Sequence, residues 1–310
     1  MKNVIFYGAS VTHQSGDSGY FMHVEGKLSK LGWNAARMTY PSSQLSNAGF
    51  FNLMNFNAKE DSLDLVVLEW STTSESSYSE KKLKVIFEFF LSKKIPILIL
   101  VLPQRGNYLR PRLSESQMYD AAVKYKTGLI DLRALCLLHE FSDLVRDDVH
   151  TKDLGALLYA SCIENYFKSN DFEVVYECSD YEPPIFACLA NDLLLKEGEI
   201  LNFEVASLGP NAEIAIDHII GPFTPIVEIR SSNGNLVERT FFDPWCHYER
   251  QNFNGFLDFE NLKNLGKEFS ISISKKIPDQ SILKQPVHYD GERYLKISNI
   301  YAYNCSIKII

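Results

Sequence analysis

A change of hydrophobic period near residue 171 constrains this chain more than any other feature. Up to about residue 170, short apolar runs alternate with stretches whose apolar residues recur every three or four positions. That is the pattern of βαβ units, in which helices cover both faces of a parallel sheet. Strands are expected at 2–8, Trp33 to Tyr40, Leu63 to Trp70, Ile95 to Leu102 and Gly128 to Leu132. Helical spacing occupies Tyr20–Leu31, Ser46–Asn57, Glu80–Ser92, Glu115–Tyr125 and Leu154–Phe167.

Beyond residue 171 the period becomes two. Leu201, Phe203 and Val205 alternate with polar residues, as do Ile214 with Ile216 and Phe269 with Ile271 and Ile273. Asn233-Gly234, between two such runs, is a strong hairpin signal. Short strands without a long helix predict an antiparallel β-sandwich. The chain therefore divides into an α/β domain, 1–170, and a β-sandwich accessory domain, 171–310. Their connection is expected at Asn170–Pro184, where Asp171, Glu177, Asp180 and Glu182 accompany two prolines.

Composition excludes several classes. A net charge of -8 over 310 residues argues against a binder of nucleic-acid backbone, which needs a basic face. No run approaches the roughly 18 apolar residues of a membrane helix, and the apolar run before Gly8 is too short for a secretion leader. A cytoplasmic location is the expectation. The six cysteines, Cys136, Cys162, Cys178, Cys188, Cys246 and Cys305, are scattered without a CxxC pair. Reduced thiols are expected rather than a disulfide framework, and no metal site.

The first strand ends in Gly8-Ala9-Ser10, a tight turn presenting a hydroxyl at the carboxyl edge of the sheet, where α/β folds bind ligands. A serine nucleophile needs a base, usually a histidine oriented by a carboxylate. Of seven histidines, His150 lies in Arg146-Asp147-Asp148-Val149-His150, after the fifth strand and before the closing helix. Its loop should return to the same edge as Ser10. The spacing lets Asp147 reach one imidazole nitrogen while the other faces the serine. Read alone, Ser10 is more often a turn or cap residue, and Asp147 and His150 are more often exposed groups near a helix N-terminus.

Together, Gly8-Ala9-Ser10 after the first strand, the five βα units and Asp147-x-x-His150 before the last helix resemble the SGNH (GDSL-like) serine hydrolases and acyltransferases. The resemblance covers residues 1 to about 168. It implies a flavodoxin-like five-stranded parallel sheet in order 2-1-3-4-5, with Ser10 as nucleophile, His150 as general base and acid, and Asp147 as its orienter. Asp148 is out of register and is expected to face solvent. Gly16-Asp17-Ser18 spells the family's GDS letters but lies in a polar loop, where Asp17 or Ser18 is expected to cap the first long helix.

In that family the oxyanion is held by the serine N–H, the N–H of a glycine after the second strand, and an asparagine side chain after the third. Here Ser10 keeps the first donor. Tyr40-Pro41-Ser42-Ser43-Gln44-Leu45-Ser46-Asn47 has no glycine, leaving Ser43 or Gln44 for the second. Thr73 stands where the asparagine is expected, and the third donor falls to Ser71, Thr72 or Thr73, or to Asn47 reaching in. Loss of one such donor typically costs about 2.7–4 kcal/mol. Glu69 and Trp70 end the third strand, either lining the pocket or packing inside. Trp245, in the aromatic stretch Phe241 to Arg250, either stacks on a sugar or fills the core of the sandwich, where we expect it.

The resemblance implies an esterase acting on O-acyl, chiefly O-acetyl, groups of a carbohydrate or small ester, without a cofactor. The alternatives are an O-acetyltransferase modifying a polysaccharide or its precursor, which would need an acetyl donor such as acetyl-CoA, and a non-catalytic glycan-binding or assembly protein.

Overall fold

The computed structural model describes residues 1–56, 63–106, 108, 110–176, 181 and 183–310, and the backbone alone at 190–191. Cys178, Asn57 and the acidic positions Glu177, Asp180 and Glu182 lie outside the described residues. In the first unit, five strands form a parallel sheet: β1 (Lys2–Gly8), β2 (Trp33–Thr39), β3 (Leu65–Glu69), β4 (Ile97–Val101) and β5 (Gly128–Asp131). The strand order is β2-β1-β3-β4-β5, as the resemblance implied.

The connections hold α1 (Ser10–His13), α2 (Tyr20–Ser29), α3 (Glu80–Ser92), α4 (Leu113–Tyr125), α5 (Phe141–Leu144) and α6 (Asp153–Ser169). Because helices lie on both faces, β1 is buried on both. Val4 and Phe6 join Phe21, Val24 and Leu28 of α2 and Ala156, Ala160 and Ile163 of α6 in one core. Tyr7, on the opposite face, meets Phe56 and Trp70 edge-on at 5.0 and 5.3 Å. Each of the buried valine, leucine, isoleucine and phenylalanine side chains contributes about 1.5–3 kcal/mol by leaving water.

One expected helix takes another form. The 46–57 stretch is a wide π-type turn, Leu45–Gly49, continuing into a 3-10 stretch at 52–56. Side chains have claimed its carbonyls: the Tyr7 hydroxyl donates to Gly49 O (2.7 Å) and Asn52 Nδ2 to Ala48 O (3.0 Å). An aromatic strand residue thereby competes with the helical ladder.

The division between units falls at Pro183/Pro184, later than residue 170. Residues 171–176 still belong to the first unit: Phe172 packs on Trp33 and Phe167 (ring centroids 5.6 and 4.9 Å), and Tyr176 on Tyr125 (4.9 Å).

The second unit is a seven-stranded antiparallel sheet of β6 (Phe186–Lys196), β7 (Ile200–Ile220), β8 (Ile226–Ser231), β9 (Leu236–Thr240), β10 (Arg250–Leu257), β11 (Glu268–Ile273) and β12 (Tyr294–Ile309), with a short helix α7 (Phe259–Leu265). Its layers are two ends of the same long strands. The start of β7 pairs with β11, and its end with β10, while β12 pairs along both. Left-handed residues Asn211 and Asn304 and register shifts in β12 mark the bend, as where strands pass between packed layers. Phe203 and Ile271 from one end thus share a core with Ile216 and Ile300 from the other. The hairpin β8–β9 turns at Gly234, whose φ of 85° explains the glycine.

Candidate active site

Ser10 opens a single helical turn immediately after β1, half-buried at the carboxyl edge of the sheet. As the first residue of that turn it has an N–H without an intrahelical acceptor. A four-residue helix is not stable by itself, so neighbours hold α1 in place. Arg37 Nη1 on β2 donates to the carbonyls of Thr12, His13 and Gln14 (3.2, 2.8 and 3.1 Å), satisfying the end of the turn. Burial, followed by that same guanidinium, holds the His13 imidazole below its usual range. Inside, Thr12 Oγ1 donates to Glu69 Oε2 (2.8 Å), and Ala9 N–H to Glu69 O (3.2 Å).

The loop carrying His150 is closed by a bridge between Val145 and Thr151 and by the Arg146 N–H on His150 O (2.8 Å). Gly155, at the start of α6, lets this loop seat closely, since a Cβ there would lie 2.1 Å from Leu144 O. Asp147 is built into the turn: Oδ1 accepts the N–H groups of Val149 (3.0 Å) and His150 (2.9 Å), and Oδ2 lies 2.9 Å from His150 Nδ1. Burial raises the Asp147 carboxyl, but those two N–H groups and the imidazole outweigh it and hold the group below the usual carboxylate range. It is thus ionised and orients the ring through Nδ1. Neither His150 Nε2 nor Ser10 Oγ has a hydrogen-bond partner among the described residues. Asp148 points outward, its side chain 75% exposed and paired with Arg105 (3.1 Å).

Two residues that sequence reasoning missed tie these segments together. Gln14 Nε2 donates to Thr151 O (2.9 Å), and Thr151 Oγ1 donates to Gln14 Oε1 (3.3 Å). The Thr151 hydroxyl has one proton, shared between Gln14 Oε1 and Ser18 O. Ser18 therefore braces this link. The cap of α2 is Gly19, without a side-chain hydrogen bond, instead of Asp17 or Ser18. Gln14 lies one turn beyond Ser10, which is the signal available in the sequence; its partner 137 positions away is not.

Several candidate side chains prove committed elsewhere. Thr73 Oγ1 donates to Trp70 O (3.1 Å) and Thr72 Oγ1 to Glu69 Oε1 (2.9 Å), while Ser71 Oγ accepts the Leu102 N–H (2.9 Å). The Thr73 hydroxyl is therefore not a free oxyanion donor. Strand β3 ends too deep in the fold for its hydroxyls to face solvent. Arg112 holds that loop by donating to Thr73 O (2.8 Å) and Ser71 O. Asn47 Nδ2 is turned onto Gln44 Oε1 (3.2 Å). Ser43 N–H closes a turn onto Tyr40 O (3.3 Å), whereas Gln44 N–H has no partner among the described residues.

Glu69 and Trp70 are fully buried and do not line an open pocket, because β3 is central and covered on both faces. Burial drives the Glu69 carboxyl up to about 7, against the opposing hydrogen bonds from Thr12 and Thr72. In the second unit, Trp245 is 44% exposed rather than in the core. Its neighbour Cys246 occupies the buried position instead, and Lys284 Nζ lies 3.8 Å from the indole centroid. A cavity of about 830 Å³ lined by Lys2, Trp33, Asp64 and Pro96 opens at the amino ends of the strands and includes none of these residues.

No family model matches the sequence, and no curated protein matches it. Among solved structures, a two-domain esterase active on acetylated mannans matches 98% of this chain and 91% of its own, with a TM-score of 0.67 at 15% identity. The same esterase co-crystallised with mannopentaose gives a TM-score of 0.64 at 16% identity over 98% and 90%. A GDSL-like lipase from Bacteroides thetaiotaomicron matches 54% of this chain and 88% of its own, at 14% identity and a TM-score of 0.39. At such identities the two-domain match establishes a shared fold along nearly the whole chain. No helix among the described residues is long and apolar enough to cross a membrane.

Proposed function

We propose that this protein is a serine esterase that removes O-acyl groups, acetyl above all, from a carbohydrate. One arrangement carries the reading: an imidazole oriented by Asp147 through Nδ1, with Nε2 unpartnered, on a loop hydrogen-bonded through Thr151 and Gln14 to the turn that begins at Ser10. The fold shared with an esterase active on acetylated mannans supports the substrate class.

In this mechanism His150 Nε2 takes the Ser10 proton as Oγ attacks the ester carbonyl. The tetrahedral intermediate collapses as the imidazolium returns the proton to the leaving sugar hydroxyl. Water, activated by the same nitrogen, then releases the acyl group. Ser10 and His150 are not hydrogen-bonded to each other here, and that bond would form in the substrate complex. The oxyanion donors are assigned to the N–H groups of Ser10 and Gln44. Trp245, exposed with a cation over its ring, is the aromatic surface assigned to glycan contact.

The test is release of acetate from p-nitrophenyl acetate and from acetylated mannan, compared with Ser10→Ala. Loss of both activities and of fluorophosphonate labelling in the variant supports the reading. Undiminished turnover overturns it.

A further inference from the structure

The Glu69 carboxyl is fully buried, and no cation pairs with it among the described residues. Both oxygens accept hydroxyl protons, Oε2 from Thr12 and Oε1 from Thr72. Among the described residues, the groups that feel its charge include three phenols: Tyr20 of α2, which reaches it through Thr12, Tyr78 of the loop after β3, and Tyr159 of α6. Arg37 acts on this cluster through Tyr20. Burying a carboxylate without a counter-ion is costly. A role in packing alone would be served as well by a neutral residue.

The directions of the hydrogen bonds indicate a different use. Thr12 has one proton and gives it to Glu69, so Tyr20, 2.8 Å away, must donate to Thr12. Ionised Glu69 thus orients the chain from Tyr20 through Thr12 to itself. Protonated Glu69 has a proton of its own to give, and the threonine hydroxyl that receives it has to reverse. Thr12 is two residues from Ser10 in the same turn, and the turn has no slack. A Cβ on Gly8 would lie 2.5 Å from Glu69 O and 2.7 Å from Thr12 Oγ1.

We propose that Glu69 is a positioning residue for the nucleophile: its ionised carboxylate, tied to Thr12 and Thr72, fixes the turn bearing Ser10 and the adjoining β3 loop in the reactive arrangement. The inference rests on the reading of Ser10 as nucleophile. Glu69 touches neither substrate nor reacting atoms. Burial places its titration near neutral pH, where a change in its charge alters the reactivity of Ser10.

The experiment measures the rate of fluorophosphonate labelling at Ser10 between pH 5 and 9 in the full chain. In the unmodified protein the acid limb should include the protonation of Glu69. Glu69→Gln should remove that protonation from the limb and slow labelling at pH 8 by roughly ten- to a hundredfold, the range for a misplaced reacting group. Thr12→Val removes one donor to the carboxylate and should move the Glu69 protonation to higher pH; it serves as the test if Glu69→Gln does not fold. Superposable profiles in the folded variants overturn the inference and leave the nucleophile reading intact. Absence of labelling in the unmodified protein overturns both.

Discussion

Gln14 and Thr151, 137 positions apart, are joined by two hydrogen bonds, from Gln14 Nε2 to Thr151 O at 2.9 Å and from Thr151 Oγ1 to Gln14 Oε1 at 3.3 Å. Through them the loop that orients His150 is attached to the turn that starts at Ser10. The proposed nucleophile and base are thereby held by their immediate chain neighbours rather than by a bond between themselves. That leaves Ser10 Oγ and His150 Nε2 available to a substrate.

Asp147→Asn keeps a carbonyl oxygen for the N–H groups of Val149 and His150 but presents an amide donor toward His150 Nδ1. The ring would then favour the tautomer protonated at Nε2, which cannot accept the serine proton. Activity on p-nitrophenyl acetate is expected to fall by about 10³- to 10⁴-fold with the fold retained, as read by steady-state kinetics beside circular dichroism.

Glu69 also makes a prediction about stability. Its folded pKa, about 7, lies above the ordinary carboxyl value of 4.5. Its favourable contribution is therefore complete below the unfolded pKa and is lost as pH rises through about 7. Between pH 4 and pH 8 the unfolding free energy of Glu69→Gln should gain on that of the unmodified protein by roughly 3 kcal/mol. Urea titrations of both proteins across this range measure the difference; parallel curves would contradict a raised folded pKa.

Arg37→Met removes the guanidinium that satisfies three carbonyls at the end of α1. A loss of about 1.5–3 kcal/mol in stability is expected, the range for hydrogen bonds to a charged donor. Faster amide exchange at Val11 to Gln14 should accompany it, read by hydrogen–deuterium exchange.

Gly155→Ala should destabilise, although alanine ordinarily improves a helix by about 1 kcal/mol over glycine. The added Cβ would meet the Leu144 carbonyl oxygen at 2.1 Å, a backbone atom that cannot swing aside. An overpacking cost of about 1–3 kcal/mol or more is expected, together with slower turnover of p-nitrophenyl acetate on the proposed reading, because the His150 loop is seated on that contact. Denaturation midpoints decide the sign.

Trp245→Ala should change stability little, since the ring is 44% exposed. On the glycan-contact reading it should raise KM for acetylated mannan severalfold while leaving p-nitrophenyl acetate turnover unaltered. Equal kinetics on the polymer would remove Trp245 from the substrate surface.

The period of the apolar residues, local in sequence, already carried the α/β layer, the β-rich second half and the βα alternation that brings Ser10 and the loop of His150 to one sheet edge. The spacing of Asp147 and His150 was legible for the same reason: a three-residue turn brings its own ends together. What tertiary structure decided were the long-range commitments of polar groups. Thr72 and Thr73 read as possible oxyanion donors until β3 proved to end in the interior, where their protons go to Glu69 and to Trp70 O. Trp245 read as core until Cys246 took that place. Period tells which face a residue occupies, but not which distant partner takes a hydroxyl proton. That choice is made when burial removes water and each polar group must find an acceptor within the fold.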